Sequence, residues 1–127
     1  MVVNVTSTVT LRSLPLLSVY TASKAAVNAF TESLALELEP FNVRVRLVLP
    51  GRAPDTRFAE NGRTRMQHGF PEPYASFAQR IFEGWAESTE TTQSVDVAKA
   101  VWRAANDPSS PMRIPAGADA VRWANEA

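Results

Sequence analysis

Residues 18–26 read Ser18-Val19-Tyr20-Thr21-Ala22-Ser23-Lys24-Ala25-Ala26 and open a long segment with helical periodicity. Val27, Phe30, Leu34 and Leu38 recur at spacings of three and four, the period of one helical face. The alanines at 22, 25, 26 and 29 favour helix and let a neighbour approach closely. Ser18 lies in an N-cap region, and Pro40 disfavours helical backbone in the residue before it. The spacing therefore predicts a helix from Ser18 to about Glu39. Upstream, Met1-Val2-Val3-Asn4-Val5-Thr6-Ser7 is a β-branched run closed by Thr and Ser, which predicts a strand. Downstream, in Phe41-Asn42-Val43-Arg44-Val45-Arg46-Leu47-Val48-Leu49, apolar residues alternate with Arg44 and Arg46 and then run continuously. That pattern predicts a second strand entering a sheet. Strand, helix, strand is a βαβ unit, with parallel strands and a right-handed connection. A strand apolar at nearly every position, like the first, is normally covered on both faces.

Further along, Pro50-Gly51 stops the second strand at its C-terminal end, where ligands sit in open parallel sheets. Residues 52–93 are the least regular part, with a helical pattern through Tyr74, Phe77, Ala78, Ile81, Phe82 and Trp85. This segment fits a substrate lid and equally a poorly ordered insertion. Arg52, Arg57, Arg63 and Arg65 fall here, diluted by Asp55 and Glu60, which reads as a solvated face. Residues 92–105 read as a capped helix with a stripe of Val97, Val101 and Ala104/Ala105 flanked by Trp102. Met112-Arg113-Ile114-Pro115 is a short strand candidate, and Asp119 to Asn125 a final turn or two of helix. No internal repeat or linker divides the chain, so residues 1–127 read as one α/β domain.

Composition narrows the function. Basic and acidic side chains balance at 13 each, which argues against a nucleic-acid binder needing a basic excess. The absence of cysteine excludes disulfides, thiolate metal sites and thiol catalysis. The single histidine, His68, has no second histidine to share a metal and reads as a solvated loop residue. No apolar run approaches the ~20 residues that span a bilayer. The N-terminus lacks the basic start and apolar core of a signal peptide. These features predict a cytoplasmic protein with no membrane or nucleic-acid partner.

The chemistry begins with Tyr20 and Lys24. Residues four apart on a helix share a face, with Cβ atoms about 5–6 Å apart. A nearby ammonium favours the phenolate and lowers the tyrosine pKa from about 10, as acid–base work near neutral pH requires. The same spacing fits an ordinary exposed Tyr/Lys pair. Ser7 stands 13 residues before Tyr20, and by itself reads as a strand-end or capping serine.

Taken together, these segments resemble the C-terminal half of a short-chain dehydrogenase/reductase. The resemblance rests on Asn4-Val5-Thr6-Ser7, on Tyr20-Thr21-Ala22-Ser23-Lys24 with Ala25-Ala26 after it, and on the helix Ala29 to Leu38. It continues through Asn42-Val43-Arg44-Val45 and Leu49-Pro50-Gly51, and is fainter at Val95-Asp96-Val97-Ala98 and Arg113 to Asp119. It implies part of a Rossmann-like doubly wound parallel sheet, with 52–93 as the lid. It also implies an NAD(P)-dependent oxidoreductase interconverting an alcohol and a carbonyl by hydride transfer. Tyr20 would pass a proton to or from the substrate oxygen, and Ser7 would hydrogen-bond that oxygen. Lys24 would lower the Tyr20 pKa and hold the nicotinamide ribose. Pro50 and Gly51 would lie against the carboxamide, with Thr56 a weaker cofactor contact. The cofactor is NAD or NADP, and a homo-oligomer is implied for the full-length family member.

Departures from the family pattern are equally readable. The five glycines, at 51, 62, 69, 84 and 117, form no Gly-x-x-x-Gly-x-Gly loop. The family's catalytic asparagine is missing, since Asn4 is a strand residue. Thr10 replaces a common glycine, and Thr56 is displaced by one position. The expectation is a fragment of a longer enzyme that binds cofactor poorly. The alternative is a non-catalytic remnant whose long helix is an association surface.

Overall fold

The computed structural model describes residues 1–65 and 69–127, so His68 lies outside the described residues. Strand β1 (Val2–Val5) leads through a 3-10 turn (Thr8–Thr10) to helix α1 (Ser18–Leu38). Strand β2 (Val45–Pro50) follows, then helices α2 (Phe58–Arg65), α3 (Tyr74–Ala86) and α4 (Ser94–Asn106). Strand β3 (Arg113–Ala116) and helix α5 (Ala118–Glu126) close the chain. The three strands form a parallel sheet in the order β1-β2-β3. The α/β architecture and the βαβ unit are thus as expected. The segment 52–93 holds two helices rather than one. α2 carries Glu60, Asn61, Arg63 and Arg65 around Gly62, so it has no apolar stripe for periodicity to detect.

β2 is the spine of the sheet. Val45, Leu47, Val48 and Leu49 are all buried, because β2 pairs on both edges and has helices packed against it. Val48 joins Ala100 and Ala104 of α4 and Ile114 and Ala116 of β3 in one apolar cluster, against which Val3, Val97 and Val101 pack. The small alanines let α4 lie close to the sheet. Of the expected stripe position Ala104/Ala105, Ala104 is buried and Ala105 exposed, and the flanking Trp102 is exposed.

α1 runs over the expected span, but Leu17 rather than Ser18 is its N-cap, with no side-chain cap bond. Its buried residues are Asn28 and Thr31. Val27 and Phe30, expected as core, are exposed, Phe30 at 60%. The reason is polar. Asn4 on β1 donates its side-chain amide to Thr31 Oγ1 at 2.9 Å, and Thr31 donates to Val27 O at 2.6 Å. Asn28 Nδ2 donates to Thr10 Oγ1 at 3.0 Å. These bonds turn the Asn28/Thr31 side toward the sheet and leave Val19, Phe30 and Leu36 outward. β1 is likewise only partly covered, with Val5 exposed, and is not buried on both faces as its composition suggested. An exposed ion pair, Arg113 Nε to Glu32 Oε1 at 2.6 Å, ties β3 to α1.

These burial differences predict a stability contrast. Leu47→Ala should cost about 2–5 kcal/mol in urea unfolding. Leu36→Ala, at a residue 72% exposed, should stay within about 0.5 kcal/mol of the parent.

Candidate active site

Three strands end at one edge, and the site is built there. In the β1–β2 register Val5 faces Val48, and the Thr6 N–H donates to Val48 O at 2.9 Å. The chain then leaves the sheet at Ser7, while β2 runs on to Pro50. Thr8 Oγ1 donates to Pro50 O at 3.2 Å, so the exits of both strands are fastened to each other. Ser7 caps the 3-10 turn: its backbone is extended (φ −168°, ψ 151°) and its Oγ accepts the Val9 N–H at 3.3 Å. Thr10 Oγ1 donates to Ser7 O at 3.0 Å and accepts Asn28 Nδ2. The threonine that replaces a glycine therefore links the Ser7 backbone to α1.

Tyr20, in the first turn of α1, comes to the same place. Its pKa is raised above the ordinary tyrosine value, chiefly by burial, and a hydrogen bond with the Ser7 side chain pulls it partly back. An interaction that lowers a phenol pKa favours the phenolate over the phenol, so Ser7 acts on Tyr20 in the sense opposite to burial. Lys24 Nζ stands 5.6 Å from the centroid of the Tyr20 ring, over its face. Among the described residues no carboxylate lies within ion-pair distance of Lys24. The expected lowering of the phenol by Lys24 is corrected here: burial outweighs the other influences, and the ammonium faces the ring.

Ser7, Tyr20 and Lys24 are thus brought together, and Pro50-Gly51 borders them through Thr8. Thr56 is occupied locally. Its hydroxyl donates to Ala53 O at 2.8 Å and accepts the Phe58 N–H at 3.3 Å, shaping the entry to α2. The neighbouring Asp55 accepts the Ser94 backbone N–H and hydroxyl, at 3.0 and 2.9 Å from Oδ2. These bonds hold its carboxyl below the usual aspartate range and pin the loop before α2 to the start of α4. Phe58 reaches back so that its ring lies 6.3 Å from that of Tyr20. Farther out, Phe70, Phe82 and Trp85 stack in sequence at 5.8 and 5.3 Å. Two of the arginines of segment 52–93 are solvated as expected: Arg57 meets Glu60 at 3.9 Å with both largely exposed, and the exposed Arg52 donates to Ser88 O. The Arg65 side chain lies outside the described residues.

Thr92 and Asp119 have no place in the sequence reading of the site, yet both are buried against Gly51. The available signal was a Gly-x-Asp at the start of α5, with no local cue to its partner.

The comparisons agree with this geometry. Residues 1–67 match the short chain dehydrogenase family. The chain belongs to the short-chain dehydrogenase family. An uncharacterised oxidoreductase of Schizosaccharomyces pombe is 28% identical over 127 residues, covering 97% of this chain and 51% of the relative. A short-chain dehydrogenase from Streptomyces avermitilis superposes with a TM-score of 0.70 at 26% identity, over 98% of this chain and 44% of that one. An NAD+-bound xylitol dehydrogenase gives a TM-score of 0.62 at 27% identity, over 91% of this chain and 47% of that one. This short-chain dehydrogenase chain spans about half the length of the curated relatives that match it across nearly its whole length. Among the described residues no group of three or more His, Cys, Asp or Glu side chains could hold a metal. No described helix is long and apolar enough to cross a membrane.

The Ser7–Tyr20 bond generates a pH prediction. Ser7→Ala removes the lowering influence, so the Tyr20 titration should move further up, read by NMR at its ring Cζ. Because the folded pKa lies above the unfolded value, the phenol's contribution to stability is present below about pH 10. It is lost as pH rises through the folded pKa. An unchanged or lower midpoint in Ser7→Ala would show that the two side chains are not coupled.

Proposed function

We propose that this chain carries the proton-transfer half of an NAD(P)-dependent oxidoreductase site that interconverts an alcohol and a ketone or aldehyde. The observation that supports the reading is the meeting of Ser7, at the exit of β1, with Tyr20 and Lys24 at the start of α1, the Lys24 ammonium lying 5.6 Å from the Tyr20 ring centroid. A partly buried ammonium with no carboxylate partner, beside a phenol and a backbone turn, fits a hydroxyl-rich ribose and a carboxamide. Lys24 would hold the ribose hydroxyls, and the Pro50-Gly51 backbone would border the carboxamide. When bound, the nicotinamide would give or take the hydride at the substrate carbon. In reduction, Tyr20 Oη gives its proton to the carbonyl oxygen, and in oxidation it takes that proton back. Ser7 Oγ donates a hydrogen bond to the same oxygen, where negative charge grows. The approach of Phe58 to Tyr20, with the other aromatics of the lid, supports a substrate with an apolar group beside its carbonyl. The choice between NAD and NADP is not carried by these residues.

A second, compatible role concerns α1. Val19 and Phe30, 83% and 60% exposed, fall on one side of α1. Exposed apolar patches of this kind mark interaction surfaces. This face supports association with a second copy in the whole protein, or a purely associative role should the catalytic reading fail.

The test separates binding from chemistry. These 127 residues contain no glycine-rich phosphate loop, and backbone N–H groups at such a loop supply the pyrophosphate grip. NADH should therefore bind the chain no more tightly than reduced nicotinamide mononucleotide, and both should perturb the amides of Tyr20, Lys24 and Gly51. Micromolar NADH affinity would refute the incomplete-grip reading. In a chain that turns over substrate, Tyr20→Phe should cut the rate by about 10²–10⁴-fold with cofactor affinity retained. A rate within a few-fold of the parent would remove Tyr20 from the proton step.

A further inference from the structure

We propose that Thr92 and Asp119 are positioning residues for the cofactor-facing turn Pro50-Gly51-Arg52, a proposal that rests on reading that turn as the nicotinamide border. Two consecutive backbone amides leave β2 there, and a distant side chain holds each. The Gly51 N–H donates to Thr92 Oγ1 at 3.0 Å. The Arg52 N–H donates to Asp119 Oδ2 at 2.8 Å. The two side chains also hold each other, with Thr92 Oγ1 at 2.6 Å from Asp119 Oδ1. The cluster is closed on its far sides. Thr92 Oγ1 lies 2.7 Å from Ala116 O at the end of β3, the Thr92 N–H donates to Arg52 O at 2.8 Å, and Asp119 Oδ1 accepts the Ala120 N–H.

The glycines record how tight this fit is. A Cβ on Gly51 would run into the Asp119 carboxyl, and a Cβ on Gly117 into Thr92. Gly117 also has φ +107°, a backbone that favours glycine. Thr92 is fully buried and Asp119 nearly so. Buried polar groups fully engaged in hydrogen bonds fix a unique geometry. Here the geometry fixed is the path of the backbone immediately after β2. Without the cluster the Gly51 N–H would keep only its longer bond to Ala116 O, at 3.3 Å, the Arg52 N–H would seek another acceptor, and the turn would lose its single orientation.

The test uses the isotopically labelled 127-residue chain titrated with reduced nicotinamide mononucleotide and followed by amide NMR. The probe should shift Tyr20 and Lys24 together with Gly51 and Arg52. Thr92→Val, which removes the hydroxyl but keeps the shape, and Asp119→Asn should each weaken binding about fivefold, the share of one ordinary hydrogen bond. In both variants the response at Gly51 and Arg52 should shrink relative to that at Tyr20 and Lys24, and Thr92→Ser should restore it. Unfolding would diminish both regions alike, so the ratio separates positioning from stability. Folded variants with parental affinity and parental ratio overturn the proposal. A parent that responds at Tyr20 and Lys24 but not at Gly51 and Arg52 also overturns it, while sparing the Tyr20–Lys24 reading. A parent with no response anywhere removes the cofactor reading, and the proposal with it.

Discussion

The pairing of β2 with both neighbours is the constraint on which the rest depends. β2 aligns Val48 with Val5 on one edge and with Ile114 on the other. That shared register brings the exits of three strands to one level. Ser7 leaves β1 there, Pro50-Gly51 leaves β2, and Gly117 leaves β3 toward Asp119. A one-residue slip would turn every side chain of a strand to the opposite face. It would also carry Ser7 away from Pro50-Gly51, and α1 with it, because α1 is tied to β1 through Asn4 and Thr31 and to the 3-10 turn through Asn28 and Thr10. The register that buries Leu47 and Val48 is therefore the register that assembles the catalytic candidates. Packing and chemistry are two consequences of one alignment.

The connections at that edge are polar rather than apolar. The apolar cluster lies between α4 and the sheet. On the face carrying α1, Val45, Leu47 and Leu49 are also buried, and an amide, hydroxyls and one exposed ion pair add directional bonds. Hydrogen bonds are directional, so they specify how α1 sits in a way that non-directional apolar contact does not. For a helix that must deliver a phenol to a serine hydroxyl, such specification matters more than added burial.

The limits of the sequence follow from the same distinction. The order of elements and the ends of α1 and β2 were legible because periodicity and Pro40 are local signals. Tyr20 and Lys24 were legible as a pair because residues four apart share a helical face, whereas Ser7 by itself read as a capping serine and joined them only through the family resemblance. Which face of α1 turns inward was not. The stripe of Val27, Phe30, Leu34 and Leu38 says that an apolar face exists, while the bonds from Asn4 and Thr10 decide which side meets this sheet. α2 was missed because its polar residues and Gly62 give no amphipathic pattern. Thr92 and Asp119 were missed for a different reason. They lie 27 residues apart and meet Gly51 only through the fold, so no local window contains their relationship.

The state of Tyr20 completes the account of what this half-site does unaided. An acid–base group works best with a pKa near the working pH, yet burial moves this phenol the other way and Ser7 offsets only part of the shift. The Lys24 ammonium lies over the ring, 5.6 Å from its centroid. The phenol is consequently protonated at neutral pH, the form in which it can donate. On the proposed reading, a protonated Tyr20 beside Ser7 would meet an oxygen that is gaining negative charge. That is the requirement of carbonyl reduction. Oxidation needs the phenolate, and the groups that could stabilise it must come from whatever lies between Lys24 and the Tyr20 oxygen when the site is filled.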